Sequence, residues 1–287
     1  MKSLRNQKIG LIACSNGRDS DQRPEIEKMK TFLAETYHIQ TVEAATLYKK
    51  QGRLESGTPK ERAEALHQLY KDEEVKAIFD LSGGDLANQV LPYLDFEWIK
   101  AHSKPFIGYS DLTSLLNPIY KFTGLQGYYF LLTNIIRSAT SRTAFEKIFI
   151  NCQPIELQGK WIGQQKCMEG IVIGGNIRCL LKLAGTPYFP DVQNKVVLLE
   201  ALSGLEARLE AYIAQYEQLG VFENCAGILA GQFTEASENG LDGFINELFR
   251  DLSFRYDIPV FRTSQIGHAK ASIPFSIGEK ISMQTKF

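Results

Sequence analysis

A serine lies where a short apolar segment runs directly into a helical one. The segment is Pro-Phe-Ile-Gly-Tyr-Ser-Asp-Leu-Thr-Ser at residues 105–114, and the serine is Ser110. Such a bend is typical of a nucleophile elbow, which presents the hydroxyl above a sheet and directs backbone N–H groups at the same point. The usual Gly-x-Ser-x-Gly pattern is not met, because position 112 is Leu. The local pattern alone favours a plain helix N-cap at Ser110 and leaves nucleophilic chemistry as the alternative.

A serine hydroxyl is a weak nucleophile without a base, and histidine is the usual partner. The chain has four histidines: His38, His67, His102 and His268. The first three lie in or beside polar, helix-like stretches, which is typical of solvated surface histidines. His268 differs because it lies in a loop between two apolar segments. A single loop histidine is more often structural than catalytic, so its position makes His268 only a candidate base.

The third candidate is an acid that ends an apolar strand. Glu200 directly follows Val-Val-Leu-Leu at residues 196–199. A carboxylate buried there without a partner would be costly, so Glu200 either has a partner or turns to water. An acid that orients an imidazole is the group that a serine–histidine pair still requires. The local sequence leaves both alternatives open.

The first half of the chain alternates short apolar runs with amphipathic stretches. Strands are predicted over residues 9–14, 40–44, 75–81 and 105–108, and helices over 24–35, 58–72 and 86–94. Thr58, Pro59 and Glu61 form a capping box that begins the second of these helices. Because strands that alternate with helices pair in parallel, we predict an open α/β sheet.

Polar turns follow three of the predicted strands. They are Ser-Asn-Gly at residues 15–17, Ser-Gly-Gly at 82–84 and Gly-Tyr-Ser at 108–110. In open parallel sheets, ligands bind beyond the carboxyl ends of the strands. We therefore expect the functional site at these turns.

A looser, polar stretch separates two predicted domains. Residues 1–137 form the first, residues 138–168 are a linker, and residues 169–287 form the second. The second domain is predicted to contain strands over 171–173, 196–199 and 227–230 and a helix over 205–219, with residues 275–283 closing it.

The bulk composition excludes some classes of partner. A length of 287 residues is enough for two domains, and 44% hydrophobic and 23% charged residues are ordinary for a soluble protein. The net charge of −1 gives no basic footprint, so we expect neither a nucleic acid nor an acidic membrane as a partner.

Location and cofactors are also constrained. The apolar run at residues 9–13 is too short for a signal-peptide core, and no stretch approaches the roughly 20 apolar residues of a membrane helix. Five scattered cysteines without a Cys-x-x-Cys pair indicate thiols in a reducing compartment, so we expect a cytoplasmic protein. No His, Cys or Asp cluster has metal-ligand spacing, so we predict neither a metal nor another cofactor.

Several separate motifs, in the same order, resemble the LD-carboxypeptidase family of serine peptidases, which includes the microcin C immunity peptidases. The motifs are Ser-Gly-Thr-Pro-Lys-Glu-Arg-Ala (56–63), Gly-Gly (83–84), Leu-Pro-Tyr-Leu-Asp (91–95), Gly-Tyr-Ser-Asp-Leu-Thr (108–113), Gly-Gly-Asn-Ile (174–177), Gly-Thr-Pro-Tyr (185–188), Leu-Glu (199–200), Gly-Gln-Phe (231–233) and Gly-His (267–268). The resemblance spans nearly the whole chain.

The resemblance implies a serine–histidine–glutamate triad of Ser110, His268 and Glu200. It also implies a flavodoxin-like N-terminal parallel-sheet domain, a C-terminal α/β domain, an active site in the cleft between them, and a homodimer. The oxyanion donors would be the backbone N–H groups of Asp111 and of the Gly83-Gly84 turn. The implied activity is hydrolysis of an L,D-peptide bond that releases D-Ala from cytosolic murein tetrapeptide.

Three departures from the family leave the substrate open. Many members have an arginine where this chain has Ser82, an acidic residue where it has Ala201, and a Gly-Pro pair where residues 123–130 contain no proline. Residues 83–88 and 91–93 look closer to the microcin-immunity branch. Cleavage of a peptidyl-nucleotide or related acyl conjugate is therefore the alternative, with Trp161 as a candidate to stack on a base or, instead, as an interdomain packing residue. A non-catalytic small-molecule binding protein is the third hypothesis.

Overall fold

The computed structural model describes residues 2–284 and contains two six-stranded sheets. The strands are β1 (Lys8–Ile12), β2 (Gln40–Glu43), β3 (Val75–Asp80), β4 (Phe106–Gly108), β5 (Gly127–Tyr129), β6 (Lys160–Ile162), β7 (Cys167–Asn176), β8 (Lys195–Ala201), β9 (Gly227–Phe233), β10 (Val260–Arg262), β11 (Phe275–Ile277) and β12 (Lys280–Gln284). Together they confirm the predicted two-domain α/β architecture.

Helices connect most of these strands. The α-helices are α1 (Arg23–Tyr37), α2 (Pro59–Lys71), α3 (Phe96–Ala101), α4 (Thr113–Thr123), α5 (Asn134–Arg137), α6 (Ala139–Phe145), α7 (Ile177–Leu181), α8 (Glu206–Gln218), α9 (Val221–Asn224), α10 (Thr234–Glu238) and α11 (Asp242–Tyr256). Short 3₁₀ helices cover Ser20–Gln22, Ala87–Tyr93 and Ser110–Leu112, and a π-helical turn covers Glu146–Ile150. No helix among residues 2–284 is both long and apolar enough to cross a membrane.

The first sheet has the strand order β11-β5-β4-β3-β1-β2. β1 to β5 pair in parallel, as predicted, and only β11 is antiparallel to its neighbour. Apolar residues three and four apart on α1, such as Ile26, Met29 and Leu33, pack in one core cluster with Ile9 and Leu11 of β1. The sheet therefore aligns the carboxyl ends of its parallel strands at one edge.

The predicted capping box begins α2. Thr58 Oγ1 accepts a hydrogen bond from the Glu61 backbone N–H at 3.2 Å, and Glu61 Oε2 accepts one from the Thr58 N–H at 2.7 Å. The backbone N–H of Thr58, assisted by Lys50, lowers the pKa of Glu61 to about 2. The helix predicted over residues 86–94 is instead a 3₁₀ helix, and Pro92, which lacks an N–H donor, lies within it.

The second sheet has the order β12-β7-β8-β9-β10-β6. β7 to β10 are parallel, whereas the edge strands β12 and β6 are antiparallel to their neighbours. β8 is buried along nearly its whole length and ends with Glu200 and Ala201. Its register opposes Glu200 to Asn176, the last residue of β7.

The C-terminal segment corrects one prediction. Residues 275–283 were expected to close the second domain, but only β12 joins that sheet. β11 pairs instead with β5 of the first sheet, with Phe275 opposite Tyr129. Gly278, at φ +86°, lies between the two strands, and a Cβ there would approach the Tyr120 ring within 2.4 Å. The short apolar pattern predicts strands, but it contains no information about which sheet each strand joins.

Candidate active site

The three polar turns are in contact at the carboxyl edge of the first sheet. The Asn16 N–H donates to the Gly83 carbonyl at 3.2 Å, and the Ser15 N–H donates to Ser82 Oγ at 3.0 Å. The Ser15 hydroxyl donates to Asp111 Oδ2 at 2.6 Å. The three turns are therefore adjacent, and a functional site at this place stays a prediction.

Ser110 lies in a strained bend between β4 and α4. Its φ of +53° is in the left-handed region that favours glycine. The N-cap of the 3₁₀ helix over Ser110–Leu112 is Tyr109 and Ser110 is the first residue inside it, so the N-cap interpretation of Ser110 is wrong. A Cβ on Gly108 would lie 2.7 Å from the Leu112 Cβ. Leucine at position 112 fits the elbow because Gly108 has no side chain.

Glu200 and His268 form a buried pair. His268 Nδ1 lies 2.6 Å from Glu200 Oε2, and their side chains are 5% and 0% exposed. An ionised carboxylate can only accept a hydrogen bond, so in this pair the proton is on Nδ1. Nε2 is then left as the basic nitrogen of the imidazole. Within the described residues, Nε2 is buried and has no hydrogen-bond partner. The Tyr109 ring lies 5.2 Å from the imidazole, so the chain places His268 over the residue that precedes Ser110.

Two further residues, which the sequence did not identify as functional, hold Glu200. The Tyr129 hydroxyl donates to Glu200 Oε1 at 2.7 Å, and the Asn176 side-chain amide donates to the same oxygen at 2.9 Å. The Ser110 backbone N–H donates to the Tyr129 hydroxyl at 2.8 Å. Burial beside Glu200 raises the pKa of Tyr129 well above its usual value, so its hydroxyl keeps its proton. Tyr129 thus joins Ser110 to Glu200 across the two sheets.

Glycines allow the His268 loop to approach Glu200. A Cβ on Gly267, which has φ +142°, would lie 2.9 Å from Glu200 Oε2. A Cβ on Gly231 would lie 2.9 Å from the Glu200 Cβ. Both glycines belong to motifs that the sequence singled out, and the close approach explains their residue type.

Of the predicted oxyanion donors, Asp111 directly follows Ser110, and Gly83 lies near the Tyr109 side chain. A Cβ on Gly83 would lie 3.5 Å from the Tyr109 hydroxyl, and a Cβ on Gly84, which has φ +119°, would lie 2.3 Å from the Asn16 side chain. Within the described residues, no hydrogen bond is donated by the backbone N–H groups of Gly83, Gly84 or Asp111. The Ser110 N–H, by contrast, is occupied by Tyr129.

Comparison with known proteins identifies the family. Residues 9–130 match the LD-carboxypeptidase N-terminal domain, and residues 169–283 match the LD-carboxypeptidase C-terminal domain. The chain belongs to the LD-carboxypeptidase family.

Relatives within this family have two kinds of name. A probable murein peptide carboxypeptidase of Bacillus subtilis is 28% identical over 96% of this chain and 88% of its own length. The microcin C7 self-immunity protein MccF of Escherichia coli is 26% identical over 79% of this chain and 76% of its own length. A structure of MccF in complex with glutamyl sulfamoyl guanosine has a TM-score of 0.84 at 23% identity, covering 98% of this chain and 97% of that one. The last similarity shows the shared fold.

Ser82, one departure from the family pattern, points into the protein. It is fully buried, and its hydroxyl donates to Asp80 and accepts the Ser15 N–H. Asp80 also accepts the N–H groups of Ser82 at 2.8 Å and Cys14 at 2.7 Å. Burial raises the pKa of Asp80 to about 6 despite these donors. The Ser82 side chain therefore connects the turns after β1 and β3 by buried hydrogen bonds. Ala201, the second departure from the family pattern, is also buried.

Charged residues of both domains meet at Asp111, the residue that follows Ser110. Asp111 Oδ2 accepts the Ala87 N–H at 2.8 Å, and Asp111 Oδ1 pairs with Lys182, which follows α7. Lys182 also donates to the Asp85 carbonyl at 3.0 Å, and Arg178 pairs with the Asp85 carboxylate. These contacts tie the turn at residues 83–87 to the second domain.

The remaining candidates lie elsewhere. His102 stacks on Trp98, and His67 contacts the same ring edge-on. Trp161 packs edge-on against Phe261 and lines a cavity of about 690 Å³, and this cavity is not lined by Ser110, Glu200 or His268. Burial raises the pKa of the Cys14 and Cys179 thiols, which disfavours their nucleophilic form. Within residues 2–284, no three His, Cys, Asp or Glu side chains lie close enough together to hold a metal ion.

Proposed function

We propose that the protein is a serine carboxypeptidase that hydrolyses an L,D-peptide bond and releases D-Ala from cytosolic murein tetrapeptide in cell-wall recycling. One observation supports this most strongly: the buried Glu200–His268 pair is joined through Tyr129 to a serine held in a strained elbow. A fully buried carboxylate with this set of partners has the form expected of a triad acid.

The proposed chemistry follows from these positions. Ser110 Oγ attacks the carbonyl carbon of the bond to D-Ala while His268 Nε2 takes the hydroxyl proton. Glu200 keeps the imidazole in the tautomer that leaves Nε2 basic, and it stabilises the cation that forms. The oxyanion accepts hydrogen bonds from the N–H of Asp111 and from the Gly83-Gly84 turn. His268 then returns the proton to the D-Ala nitrogen, and water hydrolyses the acyl-serine by the same route.

The murein assignment is supported by the Bacillus subtilis relative, which spans nearly the whole chain. A second candidate function is cleavage of a peptidyl-nucleotide conjugate, as in microcin immunity. It is supported by the resemblance of residues 83–88 to that branch and by similarity to MccF. A non-catalytic binding protein is the remaining hypothesis. We further propose a cytoplasmic homodimer, as the family resemblance implies.

The first experiment offers the protein murein tetrapeptide and, separately, a peptidyl-adenylate conjugate, and follows the products by mass spectrometry. Ser110→Ala and His268→Gln are compared with two matched controls. Ser103→Ala changes an exposed serine just before β4, at the opposite end of that strand from Ser110. His102→Gln changes the histidine that stacks on Trp98.

We expect release of D-Ala by the wild type and both controls, and its loss in Ser110→Ala and His268→Gln. Cleavage of the conjugate alone would replace the murein assignment with the microcin-type activity. Binding of either compound without turnover by the wild type would contradict the enzyme proposal and support the binding protein.

A further inference from the structure

The Tyr129 hydroxyl occupies a position between two groups that come from different sheets. Tyr129 ends β5, and its side chain is almost fully buried, with the residue 2% exposed. On one side lies the Ser110 N–H at 2.8 Å, and on the other lies Glu200 Oε1 at 2.7 Å. This single atom therefore contacts both Ser110 and Glu200, whereas the other hydrogen-bonded route between them passes through two residues, Thr113 and Asn176.

The direction of these hydrogen bonds is fixed by chemistry. A backbone N–H can only donate, so the Tyr129 oxygen is the acceptor from Ser110. The one proton of the hydroxyl must then point to the Glu200 carboxylate, which can only accept when it is ionised. A phenylalanine at this position would fill the same space and would leave both groups without this partner.

Each hydrogen bond has its own consequence for the reaction. The bond to the Ser110 N–H satisfies a donor in a left-handed turn and so helps to fix the direction of the serine side chain. The bond to Oε1, together with that from Asn176, leaves Oε2 to accept from His268. It also withdraws negative charge from the carboxylate and thereby limits how strongly Oε2 attracts the imidazole N–H.

We propose that Tyr129 is a positioning residue whose hydroxyl sets both the orientation of Ser110 and the strength of the Glu200–His268 hydrogen bond. The inference rests on the proposed function, in which these three residues are the triad. It goes beyond that function because it makes the acid and the nucleophile mutually dependent through one hydroxyl. No other hydrogen bond in the described structure connects Ser110 with Glu200 so directly.

The test removes the hydroxyl with Tyr129→Phe. The matched control is Tyr128→Phe, which removes the hydroxyl of the preceding residue on the opposite face of β5, where the ring packs 4.9 Å from that of Phe149. Three quantities are measured: kcat and KM for the substrate found above, the melting temperature, and the downfield proton resonance of the His268 Nδ1–H. That resonance is assigned by its disappearance in His268→Gln.

We expect Tyr129→Phe to lower kcat on the order of 10²-fold with KM nearly unchanged, because the reacting groups are misplaced rather than the substrate lost. The Nδ1–H resonance should move further downfield, because Oε1 loses a donor and the carboxylate becomes a stronger acceptor for His268. Tyr128→Phe should leave kcat and the resonance unchanged. A second variant with 3-fluorotyrosine at position 129 keeps the ring and the hydroxyl and makes the hydroxyl a stronger donor, so the Nδ1–H resonance of this variant should move upfield.

Two results would overturn the inference. The first is a kcat for Tyr129→Phe equal to that of Tyr128→Phe. The second is a resonance that stays in place in both Tyr129 variants while only the melting temperature falls, which would reduce Tyr129 to a packing role. If the wild type hydrolyses no substrate, the proposed function fails, and the resonance still decides whether Tyr129 controls the Glu200–His268 pair.

Discussion

Asp111 and Lys182 form an ion pair between the two domains, and Asp111 directly follows Ser110 in the chain. The Asp111 side chain is fully buried and that of Lys182 is 17% exposed. The same carboxylate accepts the Ser15 hydroxyl at 2.6 Å and the Ala87 N–H at 2.8 Å. Asp111 therefore links the turn at Ser110, the turn after β1 and the segment at residues 83–87.

Replacing Lys182 with Met should loosen this arrangement. Loss of one partner of a buried ion pair costs about 3–5 kcal/mol, and we expect about 2 kcal/mol because Lys182 is partly exposed and Asp111 keeps two other donors. The free energy of unfolding is measured in urea, and kcat should fall as well. Lys60→Met is the control, since Lys60 is 70% exposed and lies 3.9 Å from Glu64, where a pair contributes about 0–1 kcal/mol. Equal losses in the two variants would contradict the structural role of Lys182.

The strained backbone of Ser110 predicts an unusual order of stability. Glycine normally destabilises a protein relative to alanine, but at φ +53° alanine is the strained residue. The free energy of unfolding of Ser110→Gly should therefore be about 1 kcal/mol larger than that of Ser110→Ala. Calorimetry of both variants, each inactive under the proposed mechanism, checks the sign. A less stable glycine variant would mean that the turn is not strained in solution.

Gly267→Ala should displace His268 from Glu200. The new Cβ would lie 2.9 Å from Glu200 Oε2 and 2.8 Å from the Gln232 Cβ, so the loop must move. A shift of about 1 Å at a reacting group costs on the order of 10²-fold in rate, and kcat should fall by that factor. Gly240→Ala is the matched control, because its φ is +75° and no atom lies within 4 Å of the added Cβ. It should lose about 1 kcal/mol of stability and no activity.

The buried Asp80 predicts a pH dependence of stability. Burial raises the pKa of Asp80 from 3.8 to about 6, so the folded state binds this proton more tightly than the unfolded state does. The stabilisation that the folded state gains from the raised pKa of Asp80 is fully present below about pH 4 and is lost as the pH rises to about 6. This loss lowers the free energy of unfolding by up to about 3 kcal/mol. Urea unfolding of the wild type and of Asp80→Asn between pH 4 and 7 tests this. The difference in free energy between them should change across that window, and a constant difference would refute the prediction.

Local chemistry explains what the sequence could predict. Apolar runs predict the parallel strands, and the residue types of Thr58 and Glu61 predict the start of α2. The polar turns at the strand ends predict the location of the candidate site. Glu200 and His268 could be named because a strand-end carboxylate and a loop histidine are unusual. Their contact over 68 residues of sequence separation came only from the family resemblance.

Long-range pairing explains what the sequence could not predict. Tyr129 lies in a Tyr-Tyr pair in a three-residue strand, and nothing in that stretch distinguishes a buried hydroxyl that meets Glu200 from a packing tyrosine. Leu112 departs from the sequence pattern of an elbow. The structure shows that Leu112 fits because Gly108 has no side chain, and this contact cannot be read from the sequence. The domain boundaries at residues 137 and 169 stay a prediction.

The crossing at Gly278 constrains how the cleft between the sheets can move. Gly278 and Glu279 are the only residues between β11, on the edge of the first sheet, and β12, on the edge of the second. The three Cα–Cα steps from the end of β11 to the start of β12 span at most about 11 Å, so these two edges cannot part further unless β11 leaves β5 or β12 leaves β7. Any separation of the two sheets that keeps both of these strand pairings must therefore leave the two edges together and move the parts of the sheets that lie farther from this corner. Phe275 of β11 lies opposite Tyr129 of β5, so the hydrogen bonds of Tyr129 to Ser110 and Glu200 lie close to this corner.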